Sequence, residues 1–345
     1  MKSRQSKKPP PRGRATLWRT LLMISGVSGA LLVASLLWYS SRPYLLPVAG
    51  ITVDIPPGSQ RSVAEALTAQ GVGSLALPFW VMGRLSGLGS RIQAGRYRIE
   101  PGTTPYALLE QMVRGDTVKV AVTLVEGWRF SQWRAALAAE SGIRHDTAGM
   151  SEAELMAELG APGVAAEGRF LPDTYLVSHG TSDKVVLRMA YRAMQDALAA
   201  TWAERSARVA VRSPAEALVL ASIVEKETAV ADERPLIAGV FSNRLRRGML
   251  LQTDPTVIYG LGARFDGNLT KADLLRDTPW NTYTRAGLPP TPIAMPGRAA
   301  LAAATHPADT DALYFVAAGG GRHTFSASLD RHNAAVRQLV ARTRR

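Results

Sequence analysis

The stretch LVLASIVEKETAVADE, Leu218 to Glu233, decides how the second half of this chain folds. Between Leu218 and Val224 only Ser222 is polar, and a helix that apolar is expected to be buried. Its start is marked upstream. Ser213, Pro214 and Glu216 form the pattern of an N-cap, a first-turn proline and a capping box. Glu225, Lys226 and Glu227 then arrive together, and a carboxylate at the end of a buried helix loses hydration. On a helix, Glu225 shares its face with Ala221, Ser222 and Leu218. Small apolar neighbours leave space for an approaching group and favour the neutral acid, which can donate a proton to a leaving oxygen. An ion pair with Lys226 or an arginine explains the same residue, and helix geometry alone favours that simpler account. Glu227 points about 200° away, over Leu220, Ile223 and Val224, and reads as a brace for the arginine-rich segment that follows.

Working outward, RPLIAGVFSNRLRRGM reads as a second helix. Leu236, Val240 and Leu245 are expected to face the first helix, with Arg244, Arg246 and Arg247 in solvent. From Leu250 to Pro296 the chain is rich in proline, glycine and turn residues, and a long loop inside a compact domain is usually functional. It carries Gln252, Thr253, Asp254, Tyr259, Asn281, Thr282, Tyr283 and Thr284, a supply of amides, hydroxyls and aromatic faces suited to a sugar or peptide polymer. LYFVAAGGGRHTFS reads as a hairpin across Gly319–Gly321, with a helix from Ser328. Upstream, Ser151 and Glu154 suggest a capping box, and Leu187, Tyr191, Met194 and Leu198 form the stripe of a long amphipathic helix. Three earlier segments, around Pro57-Gly58, Pro101-Gly102 and Glu126-Gly127, each read as strand, turn and helix.

The net charge of +13 first suggests an anionic partner. Residues 1–19 hold seven cations and no acid, so subtracting them from +13 leaves +6, an ordinary excess that argues against nucleic acid. Thr20 to Tyr39 contains no charge, and its length matches a hydrocarbon core of about 30 Å. Trp18, Trp38 and Tyr39 stand at its ends, and the basic tail before it places the N-terminus in the cytoplasm. The segment ends in LLWY rather than in a small-x-small cleavage site, so it reads as a retained anchor and not a signal peptide. The expected organisation is a basic tail (1–19), a transmembrane helix (20–39), a tether (40–50), a small α+β module (51–125) and a mainly helical α+β domain (126–345). Cysteine is absent and the five histidines lack metal-ligand spacing. No P-loop or GxSxG elbow occurs, and no metal or cofactor is expected.

ASIVEKETAVADERPLIAGVFSNRLRRGMLLQTDPTVIYGLG resembles the endolytic murein transglycosylases, the YceG-like family, as do NTYTRAGLPPTPIAMPG, THPADTDALYFVAAGGGRHTFS, EGRFLPDTY and LVEGWRF. The likeness runs from about Val53 to Val340. It implies an inner-membrane enzyme with its bulk in the periplasm, cutting peptidoglycan glycan strands internally between N-acetylmuramic acid and N-acetylglucosamine. Residues 51–125 would be a LysM-like module, and penicillin-binding synthases would be partners. The family's catalytic glutamate, in IVEKET, falls on Glu225 in this reading. That residue would protonate the leaving oxygen and then take the proton of the muramic C6 hydroxyl, leaving a 1,6-anhydro end. Gln252, Asp254, Tyr259, Asn281 and Tyr283 are the candidates for binding substrate. Two other classes stay open. A lysozyme-type hydrolase needs a second carboxylate about 5–10 Å away, and Asp232, Glu233 and Asp254 are available. A wall-binding scaffold needs no catalysis at all.

Overall fold

The structure, a computed structural model, describes residues 12–343. The expected basic tail lies outside the described residues up to position 11. The chain is mixed α+β and mostly helical, with three two-stranded sheets among the described residues. It divides into two compact units. One runs through Lys119 and adds Ser178–Gly180; the other comprises Val120–Val177 and the chain from Thr181.

The first unit opens with α1 (Arg12–Ser41). Its portion Trp18–Ser41 is long and apolar enough to cross a membrane, and none of it is buried inside the protein. Then come β1 (Ile51–Ile55), α2 (Gln60–Ala69), α3 (Ala76–Leu85), β2 (Gly95–Ile99) and α4 (Pro105–Arg114). β1 and β2 pair antiparallel with Val53 opposite Tyr97. Val53, Ile55, Tyr97 and Ile99 alternate inward, onto Leu67, Phe79, Leu108 and Met112 from the helices. Ser59 caps α2 by accepting the Ser62 N–H at 3.2 Å. Thr104 and Pro105 start α4, and Gly115, at φ 70°, ends it in the left-handed region. Helix α3 was not expected. Its sequence is apolar nearly all round, so no polar face marks it as an amphipathic helix.

The second unit contains β3 (Lys119–Leu124) and β4 (Asp173–Ser178) but for the terminal residues Lys119 and Ser178, with α5 (Phe130–Ala139), α6 (Glu152–Glu158) and α7 (Asp183–Ala203). Then follow α8 (Pro214–Glu227), α9 (Arg234–Arg246), α10 (Asp254–Leu261), α11 (Lys271–Leu275) and α12 (Arg298–Thr305). The hairpin β5 (Tyr314–Gly319) and β6 (Arg322–Ser326) precedes α13 (Leu329–Thr343). The third strand–turn–helix segment forms as β3 and α5, and β3 pairs with the unexpected β4 rather than with β1 or β2. Phe130 stacks on Phe170 at 5.2 Å, with Trp133 and Tyr191 packed around them. The capping box of Ser151 and Glu154 forms as read, and the α7 stripe is buried.

Helix α8 is the centre of the second core. Every residue from Ala217 to Val224 is buried, against Met194 and Leu198 of α7, Ile237, Ala238 and Phe241 of α9, and Leu301 and Ala304 of α12. Ser213 accepts the Glu216 N–H at 3.2 Å. The Glu216 carboxylate takes the Arg212 N–H at 2.6 Å, so the expected box closes one residue early. Arg244 was expected in solvent and is 8% exposed. The expected long loop contains α10 and α11, started by Pro255 and by Thr270, which accepts the Asp273 N–H. The hairpin turns at Gly320 and Gly321, whose φ values of 59° and 75° suit glycine. Leu220, fully buried in α8, tests this core: Leu220→Ala should cost about 2–5 kcal/mol in chemical denaturation.

Candidate functional site

The face of α8 that carries Glu225 is occupied. Ser222 Oγ accepts the Ile293 N–H at 3.0 Å and donates to Val219 O at 2.7 Å. One turn on, Glu225 Oε2 accepts the Gly297 N–H at 2.9 Å, while Oε1 lies 3.9 Å from Arg234 Nη2. Residues 293–297 are thus strapped along the small face, and the space expected above Ala221 and Ser222 is filled. The EGWRF turn clamps the same strap: Gly127 N–H donates to Met295 O at 2.9 Å and Met295 N–H to Trp128 O at 2.8 Å. Lys226 Nζ donates to Gly127 O at 3.1 Å. A Cβ on Gly297 would stand 1.9 Å from Glu126 Oε1, so a larger residue there would have to displace the Glu126 side chain. The Glu225 side chain is 7% exposed. Burial raises its pKa, the Gly297 N–H opposes this, the charge of Glu126 adds to it, and Arg234 and Lys226 oppose it.

Glu227, on the opposite side of the helix end, lines a cavity of about 210 Å³ with Arg244, Gln252, Thr253, Asp254 and Tyr283. The Thr253 hydroxyl donates to Glu227 Oε1. Thr253 is itself held by its N–H to Thr282 Oγ1 at 3.1 Å. Tyr283 OH donates to Asp254 Oδ1 at 2.6 Å. Burial is the largest influence on Glu227, pushing its pKa up to about 7. The Thr253 hydrogen bond opposes this, the charge of Asp254 adds to it, and His323 and Arg244 oppose it.

Arg244 organises the wall. Its Nε donates to Leu313 O at 2.6 Å, and its Nη1 donates to Leu251 O at 2.9 Å and Leu250 O at 3.2 Å. The guanidinium also lies 5.2 Å over the Tyr314 ring. Gln252, the next residue, is the only non-glycine with positive φ among the described residues, at 49°. The clamp on its neighbours holds that backbone turn, which swings Thr253 and Asp254 toward Glu227.

Three of the five residues read from sequence as substrate binders, Gln252, Asp254 and Tyr283, therefore meet in one cavity. Asn281 is fully buried as a brace, donating to Leu274 O and Arg276 O and accepting the Tyr283 N–H at 2.8 Å. Tyr259 is absent from that cavity's walls. It is hydrogen-bonded to buried Glu167, lies under the Arg129 guanidinium and packs edge-on against Trp280. Glu167 accepts the Phe130 N–H at 3.1 Å, and burial pushes its pKa up to about 7. Of the possible second carboxylates, Asp232 is exposed beside Arg322, and Glu233 accepts the His323 N–H at 2.9 Å and its ring at 2.8 Å. Only Asp254 shares the Glu227 cavity. Among the described residues there is no cluster that could hold a metal ion. Arg244 and Glu227 are the cavity residues that helix periodicity did not bring together. Their partners lie in remote segments, so no local signal marks them.

A carboxyl group whose burial raises its pKa to about 7, at the wall of a polar cavity, has the chemistry a general acid requires. The YceG-like family pattern matches residues 53–338, and the chain belongs to that family. A protein of Bacillus subtilis named endolytic murein transglycosylase is 31% identical over 309 residues, covering 84% of this chain and 85% of its own. A Streptococcus pneumoniae protein of the same name is 28% identical, covering 77% of this chain and 54% of its own. The crystal structure of a YceG-like protein from Listeria monocytogenes is similar at TM-score 0.52 and 29% identity, over 84% of this chain and 99% of that one.

Two measurements test the site's physics. Arg244→Met leaves buried carbonyls without donors and should cost about 2–4 kcal/mol, with Arg244→Lys recovering little because its ammonium cannot reproduce the fork. Glu227 and Glu167 have folded pKa values near 7 against an ordinary 4.5. The folded state therefore binds more protons than the unfolded one between those limits. Their contribution to stability is full below about pH 4.5 and is lost as pH rises through about 7. The fall in denaturation midpoint from pH 5 to 7 should be shallower in Glu227→Gln; equal slopes would refute the raised acid.

Proposed function

We propose that this chain is a single-pass inner-membrane lytic transglycosylase that cuts peptidoglycan glycan strands internally, with Glu227 as the proton donor. On this reading α1 is the anchor, the N-terminus is cytoplasmic, and both units stand in the periplasm. The relatives' shared name supports the activity. One observation supports Glu227 over the Glu225 of the sequence reading. Glu227 opens onto a cavity with Gln252, Asp254 and Tyr283, whereas Glu225 is spent on Gly297 and Arg234.

In the reaction, protonated Glu227 gives its proton to the glycosidic oxygen as the bond to muramic C1 breaks. Thr253, as a hydroxyl donor, steadies the carboxylate that forms. The positive charge at C1 is met by the substrate's own N-acetyl oxygen. Glu227 then takes the C6 hydroxyl proton as that oxygen closes on C1, giving a 1,6-anhydro end and consuming no water. Asp254, fixed by Tyr283, and the Gln252 amide hydrogen-bond sugar hydroxyls. A hydrolytic second reading rests on Asp254 as the other carboxylate in the cavity.

The first unit reads as a LysM-like wall-binding module. Its β1-α2-α3-β2 order brings the β1–α2 turn and the α3–β2 connection around a cavity of about 480 Å³, lined by Pro57, Gly58, Gln60, Arg84 and Ser90. The partners on this reading are growing glycan strands and the penicillin-binding synthases that extend them.

Glu227→Gln should lower glycan cleavage about 10²–10⁴-fold. Glu225→Gln should lower stability while keeping turnover within about tenfold of wild type, since it removes an anchor for the strap rather than the acid. The reverse ranking would return the role to Glu225. Wild-type turnover should fall as pH rises through about 7, where the acid ionises. Mass spectrometry of the products separates anhydro ends from the reducing ends of hydrolysis, which are one water heavier.

A further inference from the structure

Helix α3 carries an unpartnered apolar stripe. Leu77 and Leu85, four residues either side of half-buried Val81, are 65% and 69% exposed. Leu75, just before the helix, is 67% exposed. The opposite side of α3, Phe79 and Met82, is packed in the core of the first unit. The stripe does not face open water along its whole length. Leu77, Pro78 and Val81 form one wall of an apolar groove, and Leu31, Leu32, Ser35 and Trp38 of α1 form the other. The C-terminal end of α1 is fixed to the unit, since Tyr39 and Tyr44 pack on its core and their hydroxyls lie 3.2 Å apart.

That geometry sets a depth. Leu31 lies ten residues before Ser41, the end of the apolar span, which is about 15 Å along a helix. If α1 crosses the bilayer, the groove residues of α1 are in hydrocarbon, and α3 lies beside them. We infer that α3 is a second membrane contact, an interfacial helix whose Leu77–Val81–Leu85 stripe is immersed in the outer leaflet of the bilayer that α1 spans. This rests on the reading of α1 as an anchor. Continuity of the stripe with the spanning helix selects lipid as the occupant. A depth of about 5–10 Å is usual for such helices. Cations sit where head groups would be: Arg42 lies 4.8 Å over the Trp38 ring, and exposed Arg84 is in the last turn of α3. The consequence is an orientation. The first unit is held against the membrane by two helices instead of swinging on a tether.

The chain has no cysteine, so single-cysteine variants report unambiguously. Leu31→Cys, Leu77→Cys, Leu85→Cys and Asp116→Cys of the full chain would carry an environment-sensitive fluorophore. Each is placed in nanodiscs of phosphatidylethanolamine and phosphatidylglycerol, with and without doxyl-labelled acyl chains. Quenching at positions 31, 77 and 85 but not at 116 is the expected result. Quenching at 31 with none at 77 and 85 overturns the inference and leaves the anchor standing. No quenching at 31 removes the anchor itself. Probes at 77 and 85 shielded from soluble iodide yet untouched by lipid quenchers would place a protein partner there and also overturn it.

Discussion

The burial of α8 from Ala217 to Val224 is the constraint on which the second unit depends. A stretch with no solvent face has no cheap place for charge, so the helix carries Glu216 in its first turn and Glu225 and Glu227 at its far end, where those two must find partners. The end in question is the C-terminus, where the helix dipole opposes a negative charge. Burial and dipole act in the same direction, and both acids are raised. Their partners then separate them. Glu225 meets a backbone N–H and has Arg234 close by, which fits a residue that fastens a strap. Glu227 meets the neutral hydroxyl of Thr253, which satisfies the acid without forcing it to ionise.

Arg244 applies the same logic to a cation. Its guanidinium is buried, and it donates to backbone carbonyls and to the Gln252 amide oxygen instead of a paired carboxylate. It therefore joins the segment before α10 to the segment before β5 and keeps its charge near the cavity, where it opposes the rise in the Glu227 pKa. Asp254 acts the other way. An acid poised near neutrality is the net result of burial against several modest opposing charges, so a change in any one wall residue should move it.

The local devices of the fold were legible. Capping pairs at Ser151 and Ser213, the stripe on α7, the alternation in β1 and the glycine turn of the hairpin each rest on neighbours within a few residues. Elements whose identity depends on distant partners were not. α3 shows no polar–apolar alternation because one side packs on protein while the other is apolar as well. β4 exists because β3 is there to pair with it. Arg244 lies on a face that periodicity reads as solvent, and its acceptor at Leu313 is far along the chain.

The sequence by itself determined that α8 is a buried helix, where it begins, and that it ends in a pair of acids beside a polar, turn-rich region. Composition and periodicity suffice for that, because both are properties of the helix alone. Which acid faces the cavity was decided by tertiary structure. The small face of Ala221 and Ser222 looked open in sequence and is filled by residues 293–297, about seventy positions away. Close packing leaves space only where no segment arrives, and no helix can reveal by its own residues which of its faces that will be.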